Sequence, residues 1–215
     1  MTGGGPEQLA TGVHILIILT LITLAPALLV LTTSFTRIVV VLALMRQALG
    51  TPSIPPNMVL IPLALFLTLL SMGPTLDRVY EEALIPSLNG ELAPLDAYAK
   101  AAAPLRDFMR RQTRRAELET LMESARLPMP EKLEDIPDRV LVPAFALSEL
   151  KAAFTMGFLI FLSFMAVDLV VAGVLMALGM FMVPPSTISL PLKLLLFVMA
   201  DGWNLIAHGL LTSFR

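Results

Sequence analysis

The stretch GMFMVPPSTISLPLKLLLFVMADGW, residues 179–203, carries two methionines around a phenylalanine, then a Pro-Pro pair, then Lys193 and Asp201 inside hydrophobic sequence. Pro184 and Pro185 remove two backbone donors, and a proline pushes the residue before it towards extended structure. The apolar sequence is therefore cut into two helices at this point, with Met180, Phe181 and Met182 on the bend between them. Methionine is flexible and polarizable, so such a tip adapts to whatever touches it. The two charges raise a second issue, because each costs about 2.5–3.5 kcal/mol at the centre of a helix in a bilayer.

Outward from this stretch the chain divides by composition. Of its 215 residues 56% are hydrophobic and 15% charged. Average soluble domains hold roughly 45–50% apolar residues, so this composition and a mean hydropathy of +0.81 point to a membrane protein. Residues 74–151 hold eleven Lys/Arg and fourteen Asp/Glu, whereas the rest of the chain holds only Arg37, Arg46, Lys193 and Arg215 against Glu7, Asp168 and Asp201. The expected organisation is a flexible stretch over 1–12, a first hydrophobic helical region over 13–73, a polar helical insert over 74–151, and a second hydrophobic hairpin over 152–215.

Four hydrophobic segments follow from this division. Residues 13–33 are long enough to cross a bilayer at about 20 residues per span. No Lys or Arg precedes Arg37, so the segment reads as a retained helix, not a signal peptide. Pro26 should bend it. The same segment continues through Arg37 and Arg46, nine positions apart and hence on opposite faces at about 100° per residue. TPSIPP (51–56) breaks the chain, and a run over 57–73 contains Pro62. Residues 152–183 are apolar except for Asp168, and a last run follows Pro185. Unpaired backbone polar groups are intolerable in hydrocarbon, and the alternation of barrel strands is missing, so the fold should be all-α.

Inside the insert, residues 103–127 place Leu105, Phe108, Met109, Gln112, Leu118, Leu121, Met122 and Ala125 at helical spacings. That pattern predicts one amphipathic helix. Arg110, Arg111, Arg114 and Arg115 alternate with Asp107, Glu117 and Glu119, which reads as a solvated face more than as a lipid-binding patch.

No phosphate-binding loop, nucleophile elbow or zinc-protease motif occurs, and there is no cysteine. His14 and His208 are isolated and read as packed or interfacial residues, so no metal site and no cofactor is expected. The net charge of −2 gives no reason to expect nucleic acid. Arg37, Asp168, Lys193 and Asp201 remain as ionisable groups in apolar sequence. Lys193 and Asp201 lie eight residues apart, too far along one helix to pair, so their partners belong to other helices or other chains. Ion pairing within an assembly is the plainer reading. A proton or ion relay in a small secondary transporter or channel is the alternative, although transporters built on paired repeats show a symmetry that is missing here. An assembly chaperone would suit the insert but not the Met-Pro-Pro bend.

The segments LTLAPALLVLTTSFTRIVVVLALMRQALGT, PPNMVLIPLALFLT, VLVPAFALSELKAAF and GMFMVPPSTISLPLKLLLFVMADGWNL, in this order, closely resemble the FliP/SctR family of type III secretion export-gate proteins. SFTRIVVVLALMRQALGT resembles the flagellar branch. The resemblance implies a structural protein that is no enzyme, a pentameric ring, and co-assembly with FliQ and FliR into a channel for unfolded export substrates, with FlhB and FlhA nearby. It implies a site in the bacterial inner membrane at the flagellar basal body, with much of the assembled subunit on the periplasmic side. Positive-inside counting alone would keep the insert in the cytoplasm, but that rule holds for loops under about 60 residues and this one is longer. The resemblance also implies that Met180, Phe181 and Met182 form a gasket at the narrowest part of the pore. Phe181 stands where a further methionine is usual, which predicts a stiffer gasket.

Overall fold

Thr33 and Ser34 turn the chain through 83° between the helix α1, Pro26–Thr32, and α2, Phe35–Ala48. The computed structural model describes residues 26–130 and 132–214, with 12, 16, 19, 20, 23 and 24. Most of the stretch over 1–12 lies outside the described residues, as do His14 and Arg215. Every regular element among the described residues is a helix.

Sequence chemistry sets the ends of these helices. α2 closes on Gly50, whose φ of +81° suits a residue without a side chain, and Thr51 N–H returns to the Arg46 carbonyl at 3.3 Å. The proline-rich break leaves Pro56 extended, and α3 runs from Asn57 to Val79 with Pro62 and Pro74 inside it. The helix does not stop at residue 73. It passes through a π-helical turn, Tyr80–Leu84, into the short α4, Ile85–Leu88. α5, Pro94–Gln112, and α6, Arg115–Ser124, form the amphipathic part of the insert. α7, Asp138–Ala177, is 40 residues long and leaves the insert without a break. α8, Pro185–Met199, and α9, Gly202–Thr212, complete the chain.

The single amphipathic helix expected over 103–127 is two helices. Thr113 and Arg114 are extended, with ψ of 128° and 140°. The Arg114 N–H, which a continuous helix would spend on a carbonyl four residues back, is donated to the Ser148 hydroxyl of α7 at 3.0 Å. Tertiary bonding replaces helical bonding at a site with no proline or glycine. The expected face still packs: Phe108, Met109, Leu118 and Met122 are buried, whereas Ala125 is exposed.

Two apolar cores result. One joins α2, α3, α7, α8 and α9 through Ile38, Val41, Leu42, Met45, Leu60, Ala64, Ala153, Phe197 and Leu210. The other joins the insert to the start of α7 through Met72, Phe108, Leu118, Leu141 and Phe145. Asn57–Leu88 and Asp138–Ala177 are long and apolar enough to cross a membrane, and the two bent helix pairs raise this to four by length and composition.

Close packing of α2 on α7 depends on Gly157. A Cβ there would lie 2.2 Å from Leu44 Cδ1 and 3.0 Å from its Cβ. Gly157→Leu should therefore cost about 1–3 kcal/mol as the helices are forced apart, read as a lowered Tm of the full chain in detergent. Glu117 on α6 accepts a 2.7 Å hydrogen bond from Lys151 on α7. That bond holds its carboxyl below the ordinary range, against the opposing effect of burial. The pair's contribution is then complete above the unfolded pKa of about 4.3 and fades as pH falls through the lower folded value. Melting followed from pH 7 to pH 3 should show a steeper acid loss for the native chain than for Glu117→Gln.

Candidate functional site

Three constellations hold the ionisable groups of the apolar segments. The deepest surrounds Arg37, which α2 directs inward while Arg46, on the opposite face, donates to the Pro55 carbonyl and the Asn57 side chain, both at 2.9 Å. The Arg37 guanidinium forks onto Glu149 of α7, with Nε donating to Oε2 at 3.0 Å and Nη2 to Oε1. Nη1 donates to the Ser213 carbonyl at 2.9 Å and its hydroxyl at 3.0 Å, and Nη2 to the Gln112 side chain at 3.2 Å. The Phe214 ring lies 4.0 Å beneath the guanidinium carbon. Gln112 Nε2 donates in turn to the Phe214 carbonyl at 3.0 Å. One arginine thus joins α2, α5, α7 and the end of α9. Glu149 is wholly buried.

The second constellation braces the α7–α8 hairpin. Lys193 Nζ donates to Asp168 Oδ2 at 2.7 Å and to the Ala48 carbonyl at 3.2 Å. That carbonyl belongs to the last turn of α2, where a cation also meets the negative end of the helix dipole. Lys193 is buried and Asp168 half-buried, beside a cavity of about 180 Å³ lined by Leu49, Gly50, Pro185 and Ser189. By helical rise, Asp168 stands about 14 Å from the end of α7.

Beyond this brace the hairpin ends in the turn that carries Met180, Phe181 and Met182. Gly179, at φ +74°, reverses the chain, and Met180 N–H returns to the Leu175 carbonyl at 2.9 Å. Pro184 caps α8 and Pro185 is its first residue, where the missing N–H costs nothing. Phe181 is 78% and Met182 97% exposed, so these two side chains make little contact within the chain, whereas Met180 is partly covered.

Asp201 stands apart from both. It occupies the 65° elbow between α8 and α9 with φ +49°, exposed, and Asn204 Nδ2 donates to its Oδ2 at 3.1 Å. The structure therefore brings Asp168 and Lys193 together and leaves Arg37 and Asp201 in separate places. Among the described residues no group of three imidazole or carboxylate side chains is arranged to hold a metal ion.

Sequence reasoning missed Glu149, Ser213 and Phe214. Gln112 was a usable signal, since an amide on an otherwise apolar helix face demands a buried polar partner.

The family model of the FliP family matches residues 18–210. The chain belongs to the FliP family. Relatives named "Flagellar biosynthetic protein FliP" include one from Bacillus subtilis (strain 168), 50% identical over 97% of this chain and 95% of its own length. One from Pectobacterium carotovorum subsp. carotovorum is 51% identical over 98% of this chain and 81% of its own, and one from Aquifex aeolicus (strain VF5) 45% over 98% and 89%. The matched region takes in all three constellations except Ser213 and Phe214, which lie just beyond it.

The Arg37 cluster should behave as a coupled unit. Arg37→Met strands a buried carboxylate and should cost about 3–5 kcal/mol, whereas Arg37→Met with Glu149→Leu removes both charges and should recover much of that loss. Denaturant or thermal unfolding of the native chain and the two variants in detergent reads the coupling. Equal destabilisation by the single and double variants would show that Glu149 does not need Arg37.

Proposed function

We propose that the chain is a structural subunit of the flagellar type III protein export gate. In this reading several copies form a ring, five by resemblance. The ring assembles with FliQ and FliR, near FlhB and FlhA, in the bacterial inner membrane at the flagellar basal body. Much of the subunit then lies on the periplasmic side, and unfolded export substrates pass through the middle. The names of the relatives support a place in flagellar biosynthesis.

The observation that carries the channel role is the pairing of a rigid stem with a bare tip. Lys193 and Asp168 fix α8 to α7, whereas Phe181 and Met182 project from the hairpin with little internal contact and Met180, beside them, is partly covered. Repeated around a ring, such tips would close a pore by packing thioether and phenyl groups against one another. They would also yield to a passing chain, because thioether side chains repack at small cost. Pro184 and Pro185 keep the tip from being absorbed into either helix.

The relay reading is weaker because only two of its three groups, Asp168 and Lys193, are linked, and Asp201 stands apart. Lys193 spends its bonds on Asp168 and the Ala48 carbonyl, and Asp201 receives its bond from Asn204.

Two measurements test the proposal. Native mass spectrometry of the chain in detergent, alone and co-expressed with FliQ and FliR, should show a multi-copy ring that takes up both. Met180→Ala with Met182→Ala should leave that assembly intact and raise the ion conductance of membranes that contain it. A monomer indifferent to both partners, or an assembled double variant with unchanged conductance, would count against the ring and the gasket respectively.

A further inference from the structure

With no cysteine in the chain, its 13 methionines are its only sulfur. A two-electron oxidant that would ordinarily be taken by a thiolate meets thioethers here instead. The methionines are not equivalent. Met45, Met72, Met109 and Met122 are at most 4% exposed and belong to the two cores. Met182, at 97%, is the most exposed of the large apolar side chains among the described residues, and Met180 is 42% exposed. Met58, Met129, Met165, Met176 and Met199 are open as well. Met129 belongs to the insert, and the other four lie on helices among outward apolar side chains that lipid or partner helices cover.

Met182 lies on no helix. Gly179 on one side and Pro184 on the other separate its turn from α7 and α8. The turn is held by its backbone, with Gly179 N–H donating to the Met176 carbonyl at 3.0 Å and Met180 N–H to the Leu175 carbonyl at 2.9 Å. A change at the sulfur leaves those bonds in place. A sulfoxide on Met45, in contrast, would bury a polar group in an apolar core. No charged residue occurs between Asp168 and Lys193, so a polar sulfur at the tip would decide how wet the tip is.

We propose that Met182, with Met180 beside it, is a reversible oxidation site for peroxides. A lone pair on the thioether sulfur attacks one oxygen of hydrogen peroxide, the O–O bond breaks, and the other oxygen leaves as water. Sulfur loses two electrons and the peroxide gains them. A methionine sulfoxide reductase reverses the step: a dithiol supplies two electrons, is oxidised to a disulfide, and the oxygen leaves as water.

The product is a polar, hydrogen-bond-accepting group where an apolar one stood. An apolar constriction closes by excluding water, so sulfoxides at its rim wet it and let ions through. This consequence rests on the export-gate reading, whereas the oxidation itself rests on exposure alone.

The test has two parts. The full chain in detergent is treated with dilute hydrogen peroxide and mapped by peptide mass spectrometry. Met182 should gain oxygen roughly tenfold or more faster than Met45 and Met72, and methionine sulfoxide reductases of both epimer types should remove it. The same dose is then applied to membranes that hold the chain assembled with FliQ and FliR, where ion conductance should rise by roughly tenfold. Met180→Leu with Met182→Leu has no sulfur at the tip, so its conductance, whatever the resting value, should ignore peroxide. Met58→Leu with Met199→Leu should respond as the native chain does. Oxidation of Met182 no faster than of the core methionines, failure of the reductases to reverse it, or a response that survives loss of the tip sulfurs would overturn the proposal. So would a native assembly whose conductance stays constant once Met182 is fully oxidised. In that last case a rise on Met180→Ala with Met182→Ala would leave the export-gate reading standing, whereas no change in either would remove the gasket as well.

Discussion

A buried arginine cannot be left alone, and most of this architecture follows from how Arg37 is satisfied. The guanidinium needs five hydrogen-bond acceptors in a fixed plane. No single helix supplies them, so α7 contributes Glu149, the insert contributes Gln112, and the end of the chain contributes the Ser213 carbonyl and hydroxyl. The charged centre thereby aligns segments far apart in sequence and closes the seam between the two apolar cores, where Phe214 packs against both. A cluster satisfied this completely should lose more from the removal of one charge than from the removal of the pair.

Away from that centre the chain is under-packed for an isolated molecule. Only 11% of the residues in the most apolar part of α7 are buried. Phe154, Phe158, Leu162, Leu169 and Val170 face outward, a larger apolar surface than a soluble monomer tolerates. Hydroxyls on these outward faces are bonded back to their own helices: Thr155 to the Lys151 carbonyl and Thr32 to the Leu28 carbonyl. They ask nothing of water. Lipid and partner helices are equivalent covers by this criterion, which is why hydropathy reads four spans in a sequence whose family resemblance implies burial within an assembly.

How much could be read from residues alone differs between sites for definite reasons. The all-helical class and the bend at Met180–Pro185 rest on local chemistry, and both were legible. That Lys193 needs a partner was legible too. That the partner is Asp168 was not, because 25 residues and a reversal of the chain separate them. Glu149 was hidden for a different reason: it lies two residues before Lys151, where the polar insert gives way to apolar sequence, and nothing local marks it as buried. The break at Thr113–Arg114 was invisible since its cause, the Ser148 hydroxyl, sits on another helix. Asp201 is a partial case. The Asp-Gly pair marks a turn, but helix-long hydrophobicity on either side masks it.

The two buried cations divide the labour in a way that bears on any gating motion. Arg37 anchors the base of the α7 hairpin to the insert and the C-terminal end, and Lys193 anchors its upper part to the last turn of α2. Above Lys193 the tip is held among the described residues by hydrogen bonds local to the turn, such as Met180 N–H to the Leu175 carbonyl at 2.9 Å. Any movement that opens a passage can then be confined to the few residues between Ala177 and Pro185, because shifting the stem would separate Lys193 from Asp168 in a poorly hydrated place. Side-chain repacking of methionine is far cheaper than breaking such a pair. On the export-gate reading the economical motion is therefore at the rim and not in the wall, and Phe181, the one rigid ring at that rim, sets how far the tip can give.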